Sequence, residues 1–113
     1  MNFIIRLIVT AAIAFLLSKV LNGVHIRDIE TAIVFALVLA LLNLIVKPVL
    51  VFFTFPITII TLGLFLFVIN ALIILLADYL MSGIEVDGFV SAIIFSLLLS
   101  VLTSLINSVL EKK

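Results

Sequence analysis

Between Glu30 and Asp78 the only charged residue is Lys47, and Pro48 follows it directly. A lone ammonium in so apolar a run is costly in hydrocarbon, and an ionisable group inside a membrane commonly marks an ion or proton path. The proline adds a second cost, because inside a helix it removes a hydrogen bond. Two amides join the lysine as candidates: Asn43, and Asn70 in "LFVINALII". A third set is Ser96, Ser100, Ser104 and Ser108, whose spacing places the hydroxyls on one slowly drifting helix face. Asp78 stands beside Tyr79, the only tyrosine, and the only histidine, His25, lies close to Arg27 and Glu30.

These residue types offer hydrogen bonding, hydration and ion contact rather than bond-breaking. General acid–base catalysis needs titratable groups that converge, and the carboxylates here fall between the apolar runs or at their ends. Cysteine is absent, which excludes disulfides, thiolate metal sites and thiolate nucleophiles. A single histidine without partners is a poor metal site. The residues therefore predict a protein that is not an enzyme and carries no cofactor and no metal. The few basic residues form no stripe for nucleic acid. Asp78 has two readings, a proton or ion relay and a solvated carboxylate at the membrane interface. Tyr79 beside it favours the second, since an amphipathic ring suits the headgroup level.

The elements that must position these groups follow from composition. Of 113 residues, 67% are hydrophobic and 11% charged, with mean hydropathy +1.67. Soluble domains are about 45–50% apolar, so the class is an all-α integral membrane protein. A bilayer core of about 30 Å takes about 20 apolar residues of helix, and four segments fit: residues 3–21, 29–52, 57–81 and 89–110. The first lacks a small-residue cleavage site at its end and reads as a retained span rather than a signal peptide. Short polar stretches at residues 22–30 and 82–88 join the spans into two antiparallel hairpins within a single transmembrane domain, residues 1–113. Gly23 and Gly83 read as helix C-terminal residues in the left-handed region. Asp28 and Asp87 are suited to capping the helices that follow.

The hairpins resemble each other. Shifted by 60 residues, "GVHIRDIETAIVFALVLALLNLIVKPVL" lies over "GIEVDGFVSAIIFSLLLSVLTSLINSVL" without a gap. Gly23 meets Gly83, Ala32 meets Ala92, and Phe35 meets Phe95. This predicts a parallel internal repeat, with residues 1–50 as the first hairpin, 51–60 as an apolar connector and 61–113 as the second. Lys47 and Pro48 then fall on Asn107 and Ser108, near the end of the fourth span. The pair becomes a cytoplasmic seam where the second helix leaves the membrane, its ammonium lifted to the headgroups. The segment from residue 49 to 56 is too apolar for an exposed loop, so it lies at the interface or prolongs the second span. Arg6, Lys47, Lys112 and Lys113 stand on one side, against Lys19 and Arg27 on the other. The basic excess predicts a multi-pass protein of the bacterial inner membrane with both termini cytoplasmic.

Inside the spans, Asn43 and Asn70 need partners, so each faces another helix, or lines a water-filled path in an oligomer. Ala32, Ala36 and Ala40 on the second span answer the serine stripe on the fourth. Such small-residue faces serve close packing within the chain, an oligomer interface or a hydroxyl-lined lumen.

The stretches "LNLIVKPVL", "FPITIITLGLFLFVINALIILL" and "GIEVDGFVSAIIFSLLLSVL" resemble the bacterial four-span phage holins of holin superfamily IV. The specific parts are Asn43 with Lys47-Pro48, the run from Pro56 to Phe65 through Thr61-Leu62-Gly63-Leu64, and Ile69-Asn70-Ala71. The resemblance covers nearly the whole chain. It implies a small inner-membrane protein that forms homo-oligomers and permeabilises the membrane, and it supplies no catalytic residues. The alternatives are a structural or regulatory protein of envelope homeostasis that binds a membrane-protein partner or lipid, and, more weakly, a small-solute transporter subunit.

Overall fold

In the computed structural model, which describes residues 2–111, the elements run α1 (Phe3–Val20), β1 (Val24–Ile26), α2 (Ile29–Phe53), α3 (Phe55–Ile60), α4 (Phe65–Leu80), β2 (Ile84–Val86) and α5 (Phe89–Glu111). Helices α1, α2 and α5 are long and apolar enough to cross a membrane, and α4 is a shorter apolar helix of 16 residues. At 1.5 Å per residue, α2 with 25 residues is about 38 Å long and α4 about 24 Å. The four long helices form an up-and-down ring in the order α1, α2, α4, α5, each packed against two antiparallel neighbours.

Their ends are set by local chemistry. The Asn2 side chain accepts from the Ile5 N–H at 2.9 Å and opens α1. Asp28 does the same for α2, with the Thr31 N–H at 2.8 Å. Hydrogen bonding from the Thr31 side chain and backbone, and then the charge of Arg27, hold the Asp28 carboxyl below its usual value of 3.8. A lowered folded-state pKa means that the stabilisation is complete above that usual value and is lost as pH falls through the folded value. Melting curves of the purified protein between about pH 6 and about pH 3 are expected to show this loss. Asp28→Asn keeps a capping oxygen and is expected to remove that part of the pH dependence, whereas Asp28→Ala lowers stability at neutral pH. Asp87 does not cap: α5 begins after Gly88, whose φ is 116°, and the Asp87 N–H donates to the Gly23 carbonyl at 2.7 Å.

The connections at residues 22–30 and 82–88, expected as simple loops in an all-α chain, carry β1 and β2. These pair antiparallel in the register Val24 with Val86, His25 with Glu85, and Ile26 with Ile84. Val24, Ile26 and Ile84 are buried while His25 and Glu85 are exposed, so the alternation is that of a half-buried ribbon. Arg27 N–H donates to the Gly83 carbonyl and Asp87 N–H to the Gly23 carbonyl, both at 2.7 Å. The two bonds exchange under the 60-residue offset: Arg27 corresponds to Asp87 as donor, and Gly83 to Gly23 as acceptor. The ribbon clasps the two hairpins at one end of the bundle, opposite Asn2 and Glu111.

The glycines serve this clasp rather than ending helices. Helices α1 and α4 close on Leu21 and Met81, both extended. A Cβ at Gly23 would overlap the Ser91 side chain, and one at Gly83 would meet Thr31 at 2.9 and 3.0 Å. Only Gly83 of the two needs a positive φ, 87°.

The third span, expected unbroken over residues 57–81, is interrupted. Helix α3 ends with Leu62 in the left-handed region, φ 57°. The Leu62 N–H bonds to the Ile59 carbonyl at 3.0 Å and the Gly63 N–H to the Thr58 carbonyl at 2.8 Å. This is a Schellman closure with leucine where glycine is usual. Thr54, Thr58 and Thr61 turn their hydroxyls onto the carbonyls of Leu50, Thr54 and Ile57 at 2.7–3.0 Å, and Thr61 Oγ1 accepts from the Phe65 N–H. The threonines thus satisfy backbone and side chain together where the flanking residues are apolar. Leu62, Ile60, Phe52 and Phe53 are among the most exposed residues of the chain.

Helix α2 does not stop at Lys47-Pro48. It runs on to Phe53, because Pro48 withdraws only one N–H and its fixed φ is helical. Residues 49–53 therefore prolong the second helix.

Candidate functional site

Buried residues concentrate toward the clasp. On α2 they run from Thr31 to Leu42 and on α5 from Ala92 to Leu99, and no described residue beyond Leu42 on α2 or Leu99 on α5 is buried. Phe35 and Phe95, both fully buried, meet with ring centroids 5.9 Å apart. Toward the termini the helices loosen, and two cavities open between them.

The smaller, about 80 Å³, lies among α2, α4 and α5 and is lined by Asn43, Lys47, Asn70, Ser96 and Ser100 with Leu39, Ile73, Ile74 and Leu99. The larger, about 460 Å³, lies between α1 and α2 and is lined by Phe3, Arg6, Leu7, Thr10, Ala36, Leu39, Ala40, Asn43 and Leu44. Asn43 and Leu39 face both. Four positions singled out from sequence, Asn43, Asn70, Ser96 and Ser100, thus come together, and Lys47 joins them. Ala36 and Ala40 line the adjoining cleft. Ser104 is exposed and lines neither, so the serine stripe divides: Ser96 is buried, while Ser100, Ser104 and Ser108 are exposed. Pro48 is exposed on α2 and lines neither cavity. Asp78 and Tyr79 are at the clasp end: Asp78 Oδ2 accepts from the Val86 N–H at 3.3 Å, and Tyr79 is 86% exposed.

The smaller cavity has room for about two or three waters at roughly 30 Å³ each. Ser96 Oγ donates to the Ile93 carbonyl at 3.0 Å and Thr103 Oγ1 to the Leu99 carbonyl at 2.6 Å. Asn43, Asn70 and Ser100 make no side-chain hydrogen bond among the described residues, and they are free to bind water or a ligand. The site is cationic. Of the six carboxylates, Asp28, Glu30, Asp78, Glu85 and Asp87 belong to the clasp end, and Glu111, which ends α5 at the opposite end, lines neither cavity. Among the described residues the only ion pair is the exposed contact of Arg27 with Asp28 at 3.5 Å. The described residues also hold no group of three or more His, Cys, Asp or Glu placed to bind a metal.

Arg6 and Thr10 are the polar lining residues that sequence reading passed over as site candidates. Arg6 served there only as a topological charge. The available signal was their separation of four on α1, which puts both on one face, and the correspondence of Thr10 to Asn70 at the 60-residue offset.

A helical bundle with three or four membrane-crossing elements, a tight apolar half and a polar cationic half defines a small polytopic membrane protein. Residues 1–105 match the family described as "Mycobacterial 4 TMS phage holin, superfamily IV", and the chain belongs to that family. It is 39% identical to the uncharacterized membrane protein YvlD of Bacillus subtilis strain 168, over 91% of this chain and 87% of the relative. It is 40% identical to the uncharacterized protein SCO3922 of Streptomyces coelicolor, over 96% and 95% of the two chains. No solved structure matches the chain.

Proposed function

We propose that the protein is a holin-like component of the bacterial inner membrane that self-associates and lets ions cross when copies assemble. The carrying observation is the convergence of Asn43, Asn70, Ser96, Ser100 and Lys47 on one cavity inside an otherwise apolar bundle. Polar groups at membrane depth need partners, and water along this cavity would supply them. The half of α5 beyond Leu99 stands clear of the core and exposes Ser100, Ser104 and Ser108, a small polar face suited to helix association. In this reading the protein is not an enzyme. The termini face the cytoplasm, where Arg6, Lys47 and the C-terminal lysines obey the basic-inside bias, and the clasp faces outward. The match of clasp register and bonds at the 60-residue offset supports an origin by duplication of one hairpin.

Induced expression in cells loaded with a membrane-potential dye tests the proposal. The expected result is abrupt depolarisation that is lost in Asn43→Leu/Ser100→Leu, two exposed positions where leucine leaves the buried core intact. Polarised cells at high expression of the unsubstituted protein would rule out permeabilisation.

One observation favours a second reading. The clasp and the Phe35–Phe95 contact close the bundle at one end, so a single copy has no continuous path. A structural or regulatory role in envelope homeostasis, with a membrane-protein or lipid partner, needs no such path. Unchanged potential together with a specific partner in membrane cross-linking would select it.

A further inference from the structure

Four cations fall within the described residues, and they behave differently at the two ends of the bundle. At the clasp end Lys19 Nζ lies 4.8 Å from the Phe15 ring centroid, and Arg27 pairs with Asp28. At the other end Arg6 and Lys47 make no ion pair with any described residue, and each lines a cavity. The two cavities share Asn43. The positions 60 residues on from Arg6 and Lys47 hold Leu66 and Asn107, so the second hairpin carries neither charge at the matching positions.

We infer that the cleft between α1 and α2 binds the phosphate of an anionic membrane phospholipid. Arg6 is the principal phosphate ligand, Thr10 and Asn43 are hydrogen-bond donors, and Lys47 supplies a second positive charge from the adjoining cavity. A guanidinium offers phosphate a fork of parallel donors, and basic pockets between transmembrane helices are suited to lipid headgroups. The lining argues for a lipid over a free anion. Phe3 and Leu44 border the same cleft and are 54% and 73% exposed, which gives an acyl chain an apolar wall beside the charge. A volume of about 460 Å³ is far larger than a bare phosphate needs. This site stands whether or not the protein permeabilises membranes.

The test uses the full chain purified in a neutral detergent, with phosphatidylglycerol and phosphatidylcholine of matched acyl chains, and counts bound lipids by native mass spectrometry. The unsubstituted protein is expected to retain phosphatidylglycerol about tenfold better than phosphatidylcholine. Arg6→Gln/Lys47→Gln is expected to bring the ratio close to one, while Lys19→Gln at the clasp end keeps it. Both replaced side chains lie outside the buried core. Millimolar inorganic phosphate is expected to leave the lipid bound. Equal retention of the two lipids by the unsubstituted protein, or a preference that survives the double substitution, would overturn the assignment. Displacement by inorganic phosphate would also overturn it, in favour of a free-anion site.

Discussion

Phe35→Ala and Phe95→Ala are each expected to destabilise the purified protein by about 2–3 kcal/mol in a mild-detergent unfolding titration followed by far-UV circular dichroism. Both rings are 0% exposed and touch each other across the bundle at an interplanar angle of 51°. In a soluble core the loss would be about 3–5 kcal/mol. In a membrane the surroundings are themselves apolar, so less transfer energy is at stake, and the loss comes from dispersion contacts and the cavity left behind. Because the rings touch, the double variant is expected to cost less than the sum by about 0.5–1.5 kcal/mol, the worth of an aromatic pair. Strict additivity would show that the rings pack independently and do not join the hairpins.

Gly83→Ala is the second large effect, roughly 2–4 kcal/mol, combining a left-handed backbone with an overpacked contact. At φ 87° any side chain is strained, and its Cβ would stand 2.9 Å from Thr31 Cγ2 and 3.0 Å from Thr31 Oγ1. Gly23→Ala differs in kind. Its φ is not in the left-handed region, and the obstacle is the Ser91 side chain alone. Ser91→Gly is therefore expected to rescue Gly23→Ala nearly completely, whereas shortening Thr31 to serine rescues Gly83→Ala only in part. The same unfolding titration measures both. Full rescue at Gly83 would mean that contact alone, and not backbone conformation, requires glycine there.

The two glycines also show how far the sequence could be read. Their match at the 60-residue offset is visible in the chain and marks them as equivalent. What they do is not visible, because the residues they approach, Ser91 and Thr31, lie in the other hairpin. The same holds for β1 and β2. Three residues of alternating pattern are too few to identify a strand, and the partner is about 60 positions away. The break at Leu62-Gly63 was hidden for a different reason. Glycine is tolerated in apolar helices, and leucine is an unusual choice for a left-handed turn, so the run from Pro56 to Met81 looks continuous.

Among the polar residues, composition and spacing were enough to single out Asn43, Asn70 and the serines, since an amide or a regular hydroxyl row in hydrocarbon stands out without a structure. Lys47 stood out too, but as a seam between hairpins. Ring packing placed it, in addition, on a cavity wall with Asn43 and Asn70. Ring packing also brought Arg6 to the α1–α2 cleft and left Ser104 outside.

The sequence by itself determined the membrane class, three of the four helical spans and the similarity of the two halves. Hydrophobic length and local repetition are properties of the chain, and the bilayer acts on them segment by segment. Only the tertiary structure decided that the ends of the two hairpins are clasped by a ribbon, that the third crossing is broken, and which polar groups share a cavity. Those outcomes depend on which faces meet when four helices close into a ring, and that choice rests on contacts between residues far apart in sequence.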